Sequence, residues 1–374
     1  MKFYPLAIIL LLAPMPILLS NSTNGADAQP SWSSVSLGTV PRGLALDSST
    51  GTIYAVMYLN GTAFAIDLHS LKVVARIPIP FPDAIAVNTA TDRVYVSRGV
   101  GAVAVVDGFS HSVVSEIQTG DDYALAVDEM RDLVFAADTG DNMLWVINGS
   151  IDAVAARVPM GDTSALAVDP SVGEAFIGNL SSDLTSGTVD VVNESAFHAA
   201  VRTVQVPFPP MHFSVDPALH LLFVTSGSAA SGANPNFLAI DDRTLQVAYA
   251  VNIGNASPGI TAVSPSHGVY VSDAGNGRIY ELDEKTGQLL QNFSASDGGS
   301  STGEVTAMAL SSSNGKLYLT ETDDPELLIL TPPQAAPSSG VPLTYAYFVV
   351  LVLVAGAAVS FAAVRRRRGP RQAR

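Results

Sequence analysis

Seven times between Arg42 and Pro332 the chain repeats one pattern: a strand carrying a small residue, a polar turn, an aromatic strand, and a third strand ending on a turn residue. The small residues are Ala45, Ala86, Ala126, Ala167, Ser214, Ala262 and Ala309, each two places before a turn residue that is mostly Asp or Ser. Six or seven residues beyond that turn residue stands an aromatic: Tyr54, Tyr95, Phe135, Phe176, Phe223, Tyr270 and Tyr318. Aromatics are only 7% of the chain, so composition alone does not place one at the same point of every unit. A third column, Asp67, Asp107, Asn148, Asn193, Asp241, Asp283 and Thr331, closes each unit after an alternating apolar run. Units of 40 to 48 residues built from short strands and turns have the spacing of propeller blades. The expected fold is all-β, a seven-bladed propeller.

Strands that crowd a central axis have room only for small side chains on one face, which places the small-residue strands innermost. The aromatic strands then set their rings between neighbouring blades, where apolar area is buried. Fourth strands are expected at 73–78, 112–117, 153–158, 201–206, 245–251 and 288–293. The seventh unit has none, because its third strand runs into Thr331-Pro332-Pro333. The alternating segment Ser34-Val35-Ser36-Leu37, which has no first three strands of its own, is expected to supply the missing strand and close the ring.

The ends lie outside the repeats. Lys2, an apolar run from Leu6 to Leu19 and then Ala26-Asp27-Ala28 read as a secretory signal spanning 1–28, ahead of a propeller at 29–331. Residues 332–342, rich in Pro and Ser, read as a stalk. The 22 uncharged residues 343–364 are long enough for a transmembrane helix, and Arg365 to Arg368 follow at once. By the positive-inside rule the basic tail, 365–374, faces the cytoplasm and the repeats face outward. The expected localisation is therefore the cell membrane, single-pass.

Between Gln29 and Gly340 twelve basic residues stand against 33 acidic ones, a net charge near −21. So acidic a surface argues against nucleic acid as a partner. Cysteine is absent, which excludes disulfides, zinc–thiolate sites and a thiol nucleophile. Seven Asn-x-Ser/Thr sequons, at Asn21, Asn60, Asn148, Asn179, Asn193, Asn255 and Asn292, suit a chain that enters a secretory route.

Tyr95-Val96-Ser97-Arg98, Tyr270-Val271-Ser272-Asp273 and Tyr318-Leu319-Thr320-Glu321 resemble the YVTN repeat of secreted and surface-layer beta-propellers. Other units depart from it, as in Phe135-Ala136-Ala137-Asp138. The resemblance implies a seven-bladed extracellular propeller with binding or surface-layer roles more often than catalysis. It specifies architecture strongly and activity weakly.

Propellers bind at one end of the axis, through loops entering the first strands and loops joining second to third strands. Arg42, Asp83, Asp122, Tyr123 and His212 enter first strands and are the candidate ligand contacts. Asp83, Asp121, Asp122, Asp162 and Glu304 are the candidate metal ligands, since a hard cation such as calcium takes several carboxylate oxygens without needing a rigid motif. No contiguous calcium loop is present, so no cofactor is firmly implied, and turns favour Asp for local backbone reasons alone. The six histidines show no metal-ligand spacing, and no nucleophile elbow or His-Glu-x-x-His appears. Insertions at 180–187 and 226–236 lengthen units four and five, and loops extended on one face of an array commonly form a recognition surface.

Two readings follow. In the first, a membrane-anchored extracellular propeller acts as a binding or envelope scaffold through its loop face, with an extracellular protein or glycan as partner. In the second, the channel-mouth carboxylates serve a metal-dependent hydrolase or lyase of lactonase type.

Overall fold

The computed structural model describes residues 30–333, apart from 100, 121, 198–201, 228–234, 254–259, 264–267, 274–276, 299–304 and 323, and for 122, 123, 260–263 and 296 it describes the backbone alone. The segments expected as signal, membrane span and basic tail, and all of the stalk but Pro332 and Pro333, lie outside the described residues. Among the described residues no helix is long and apolar enough to cross a membrane.

The compact unit Pro30–Pro332 holds seven four-stranded antiparallel sheets among its described residues. Blade 1 comprises β2 (Gly43–Asp47), β3 (Thr52–Met57), β4 (Thr62–Asp67) and β5 (Val73–Pro78). Five more blades follow in the same order, and their innermost strands are β6 (Pro82–Asn88), β10 (Asp122–Asp128), β14 (Thr163–Asp169), β18 (His212–Asp216) and β22 (Ile260–Val263). Blade 7 takes β26 (Val305–Leu310), β27 (Leu317–Glu321) and β28 (Glu326–Thr331), and its fourth strand is β1 (Ser31–Ser36) from the other end of the chain. Each innermost strand contacts the next, and β26 returns to β2, so the ring is closed.

The turn columns have a local cause. Asp47 Oδ1 accepts the N–H groups of Ser49 and Thr50, and Gly51 takes up a left-handed φ of 69°. The same turn recurs at Asn88, Asp128, Asp169 and Asp216, with Asp92, Asp132, Gly173 and His220 at the left-handed position. The third column does likewise, as where Asp67 caps Ser70 ahead of a left-handed Leu71. A side-chain oxygen that satisfies two turn amides fixes the hairpin and its register.

That register places the small residue directly opposite the aromatic. Ala45 pairs with Tyr54, Ala86 with Tyr95, Ala126 with Phe135, Ala167 with Phe176, Ser214 with Phe223 and Ala309 with Tyr318. Blade 6 departs from this pairing. Tyr270 pairs with Thr261 and not with Ala262, because eight residues separate Ala262 from the aromatic where the other units have nine. Four residues separate the last paired positions, Val263 and Gly268, as they do Asp47 and Thr52 in blade 1, so the column position opposite the ring is occupied by Thr261.

Each ring sits in the face of the following blade. Tyr54 packs with Val94, Val96 and Val106 of blade 2, Phe176 with Leu222, Val224 and Ile240 of blade 5, and Tyr318 with Ile53, Ala55 and Ile66 of blade 1. The seven aromatics are at most 3% exposed.

The closing strand begins and ends earlier than its alternating pattern indicates, at Ser31 and Ser36 in place of Ser34 and Leu37. Leu37 lies past its end, 5% exposed, with its N–H donated to the Pro325 carbonyl. Trp32 packs against the blade 6–7 core and Val35 against the blade 7–1 core. Deleting Ser31 to Gly38 strips the outer edge from β28 and uncovers both cores. The expected result is a melting temperature lower by roughly 5–10 °C, since each kcal/mol lost moves a domain of this size by a degree or two. An unchanged melting curve would show that the segment is not the closing strand.

Candidate functional site

At the end of the sheets where the chain enters the first strands, a cavity of about 310 Å³ opens among the inner strands of blades 1, 2, 3 and 7. Arg42, Gly43, Asp83, Ala84, Ala124 and Thr306 are among its lining residues. Gly43 sits in a tight approach, where a Cβ would lie 3.0 Å from a Val56 methyl and 3.1 Å from the Asp83 carbonyl, so a larger residue would force its neighbours to shift. Small residues on converging strands leave the space, and two charged groups mark its rim.

Those groups meet each other. Arg42 Nε lies 2.6 Å from Asp83 Oδ1, joining blade 1 to blade 2, and the guanidinium stacks over the Tyr58 ring at 4.9 Å. Asp83 is nearly buried, which raises its pKa, while Arg42 opposes that rise. The result is a locally neutral clamp with half of the arginine side chain open to solvent. Such a rim offers planar N–H donors to a carboxylate or carbonyl of a ligand.

The other expected site residues divide as follows. Asp162 is exposed, Asp121 and Glu304 lie outside the described residues, and of Asp122 and Tyr123 only the strand backbone is described. Among the described carboxylates of the expected metal set, Asp83 is thus the one held by a cation of the protein itself. Asp138, at the far end of the adjacent hairpin strand, is a turn former: its Oδ1 accepts the N–H groups of Gly140 and Asp141, and Trp145 donates to Oδ2. Arg98 is spent on Glu116 at 2.7 Å and on the Pro80 carbonyl.

His212 begins β18 opposite Thr225. It is half-buried, and desolvation by the surrounding protein lowers its pKa to about 4. A neutral imidazole at pH 7 is a donor or acceptor for a ligand and not a fixed positive charge. The insertion in blade 4 is a built loop. Ser181 Oγ donates to Asp183 and accepts the Ser186 N–H, and Leu184, 55% exposed, is carried at its tip with φ 56°. Asn179, one of the sequons, is 6% exposed with its amide donated to Asp190, so this fold leaves no room for a glycan there.

What the sequence reading passed over lies at the opposite end of the sheets. The residue following the third turn column is an acid in units four to six, Glu194, Asp242 and Glu284, where units one to three have Leu68, Gly108 and Gly149. All three acids are 5% exposed or less. The signal was a charged residue at a repeat position that is otherwise apolar or glycine.

No protein-family model matches the sequence, and no curated protein matches it. Solved structures show the same fold. Kuenenia stuttgartiensis hydrazine synthase superposes with a TM-score of 0.64 at 14% identity, over 79% of this chain and 96% of that one. The Cps50 (Swd1) beta-propeller domain of Myceliophteria thermophila gives 0.65 at 10% identity, over 78% and 96%. Identities this low establish the seven-bladed architecture and nothing of the chemistry.

His212 generates a pH prediction. Its folded pKa of about 4 lies below the ordinary 6.5, so the unfolded chain takes up a proton first as pH falls. Stability from this group is full above pH 6.5 and is lost progressively between 6.5 and 4. Comparing wild type with His212→Gln by urea denaturation at pH 7 and pH 5, the wild type is expected to lose about 2 kcal/mol more than the variant. Equal losses would mean that His212 is solvated.

Proposed function

We propose that the chain is a membrane-anchored extracellular propeller that acts as an interaction scaffold through the loops at the channel-mouth end. The observation that carries this reading is the coincidence of three features at one end of closed sheets: the cavity, the Arg42–Asp83 clamp and the blade 4 loop presenting Leu184. Each blade keeps an outer edge strand, but the cavity, the clamp and the long blade 4 connection lie together at one end of the sheets, where loops are the elements that commonly carry recognition. The apolar runs at the two ends and the Arg-rich tail support anchoring with the repeats outside, and the YVTN-like segments support a place among secreted and surface-layer propellers. A protein or glycan of the envelope is the partner that fits an acidic surface whose long loops are rich in Ser and Gly and low in charge. Among the described residues that line the cavity, the buried carboxylate, Asp83, is already paired with Arg42, so these residues do not favour the hydrolase reading.

Two measurements test the proposal. Truncation before Leu343 is expected to move the repeats from the membrane fraction to the medium, and continued membrane association would contradict the anchor. A photoreactive residue at position 184 in cells is expected to give a discrete adduct absent when the residue is placed at Phe109. Phe109 is 90% exposed in the strand 3–4 turn of blade 2, at the other end of the sheets. No adduct from position 184, or the same adducts from both, would remove the loop face as the recognition surface.

A further inference from the structure

We propose that Asp169, His220 and Asp242 bind a divalent transition-metal cation of the zinc class, pinning blade 4 to blade 5 at the end of the sheets opposite the channel-mouth loops. One ligand atom from each of the three lies within 4.8 Å of the others. Asp169 and Asp242 are both 0% exposed, and apart from the contact between the two carboxyl groups themselves, Asp169 Oδ2 and both Asp242 oxygens accept no hydrogen bond. Two buried carboxylates facing each other require either a compensating positive charge or a shared proton.

The neighbouring junction shows how the fold supplies one. Between blades 3 and 4 the equivalent acids are Asp128 and Glu194, and Arg131 reaches both, at 2.7 Å and 3.2 Å. Arg131 stands three residues after its turn aspartate, and its guanidinium lies against Gly173, where a Cβ would come within 2.8 Å of Nη2. One blade on, both positions change together. Val172 replaces the arginine, and the left-handed glycine becomes His220, with φ 56°. The imidazole therefore occupies the place of the guanidinium. Among the described residues no Arg or Lys nitrogen lies within 4 Å of either carboxylate, and His220 Nδ1 is the nitrogen that faces them.

The spacing suits coordination better than hydrogen bonding. Nδ1 lies 3.5 Å from Asp242 Oδ1 and 3.9 Å from Asp169 Oδ2, at or beyond the limit of a hydrogen bond. Two ligands bonded at about 2.1 Å around a tetrahedral ion sit about 3.4 Å apart. One nitrogen and two carboxylates form a three-ligand zinc set that leaves a position for water. The His220 side chain is 19% exposed, which gives the ion and that water a path from solvent.

The test uses the purified full chain, stripped with chelator and titrated with zinc chloride alone, then with cobalt chloride. The expected results are one zinc per chain, a rise in melting temperature, and visible ligand-field bands of four-coordinate cobalt. His220→Gly places the residue best suited to a left-handed φ at that position, so it is expected to fold, to bind zinc at least tenfold more weakly and to lose the cobalt bands. Val172→Arg combined with His220→Gly rebuilds the blade 3–4 arrangement and is expected to melt near the zinc-loaded wild type with no response to zinc. Absence of a zinc-dependent shift in the wild type would overturn the proposal, with the two aspartates then sharing a proton. An equal zinc response in H220G would overturn it as well, by assigning the binding to surface acids.

Discussion

The fold depends on one contact made seven times: an aromatic ring from the second strand of each sheet buried in the face of the next. Such a side chain removes 150–250 Å² from water, about 4–6 kcal/mol each as an upper estimate. A blade alone would expose its ring on one side and the socket for its neighbour's ring on the other. The array is stable only when it has no first or last member. Tyr318 in the face of blade 1 completes the circle, and β1 on β28 joins the two ends of the repeat region in one sheet.

The small-residue column serves that contact too. Ala45, Ala86, Ala126 and Ala167 lie opposite the rings, where the inner strands converge and a larger side chain would push neighbouring blades apart. Once the ring is closed, the two ends of the sheets take different parts. At one end the loops vary in length and surround a cavity with a neutral Arg42–Asp83 rim. At the other, short capped turns press acids of adjacent blades together, and at the blade 3–4 junction Arg131 pairs with both of them.

Nearly all the architecture was legible because a propeller repeats its constraints. The turn aspartates, the aromatics and the missing seventh fourth strand each appear in the sequence at fixed spacing, and each has the local cause the spacing implied. The register of blade 6 was legible only to a count of one residue, eight in place of nine before Tyr270. The junction acids were not legible as a group. Asp169 and Asp242 belong to different units, 73 positions apart, and His220 reads in sequence as an isolated histidine in a turn. Only inter-blade packing, which carries no local spacing, brings the three together. Arg42 and Asp83 were legible singly as polar residues entering first strands, but their pairing across a blade boundary was not.

Closure of the ring is tested most directly by hydrogen–deuterium exchange on the intact chain, following the segment Ser31–Ser36 against the central strands of blades 2 to 4. A true closing strand opens only when the ring opens, so its slowest amides are expected to exchange with the global unfolding free energy, in step with those central strands. Exchange of the whole segment by local fraying, orders of magnitude faster than the central strands, would contradict closure and leave blade 7 with a free edge.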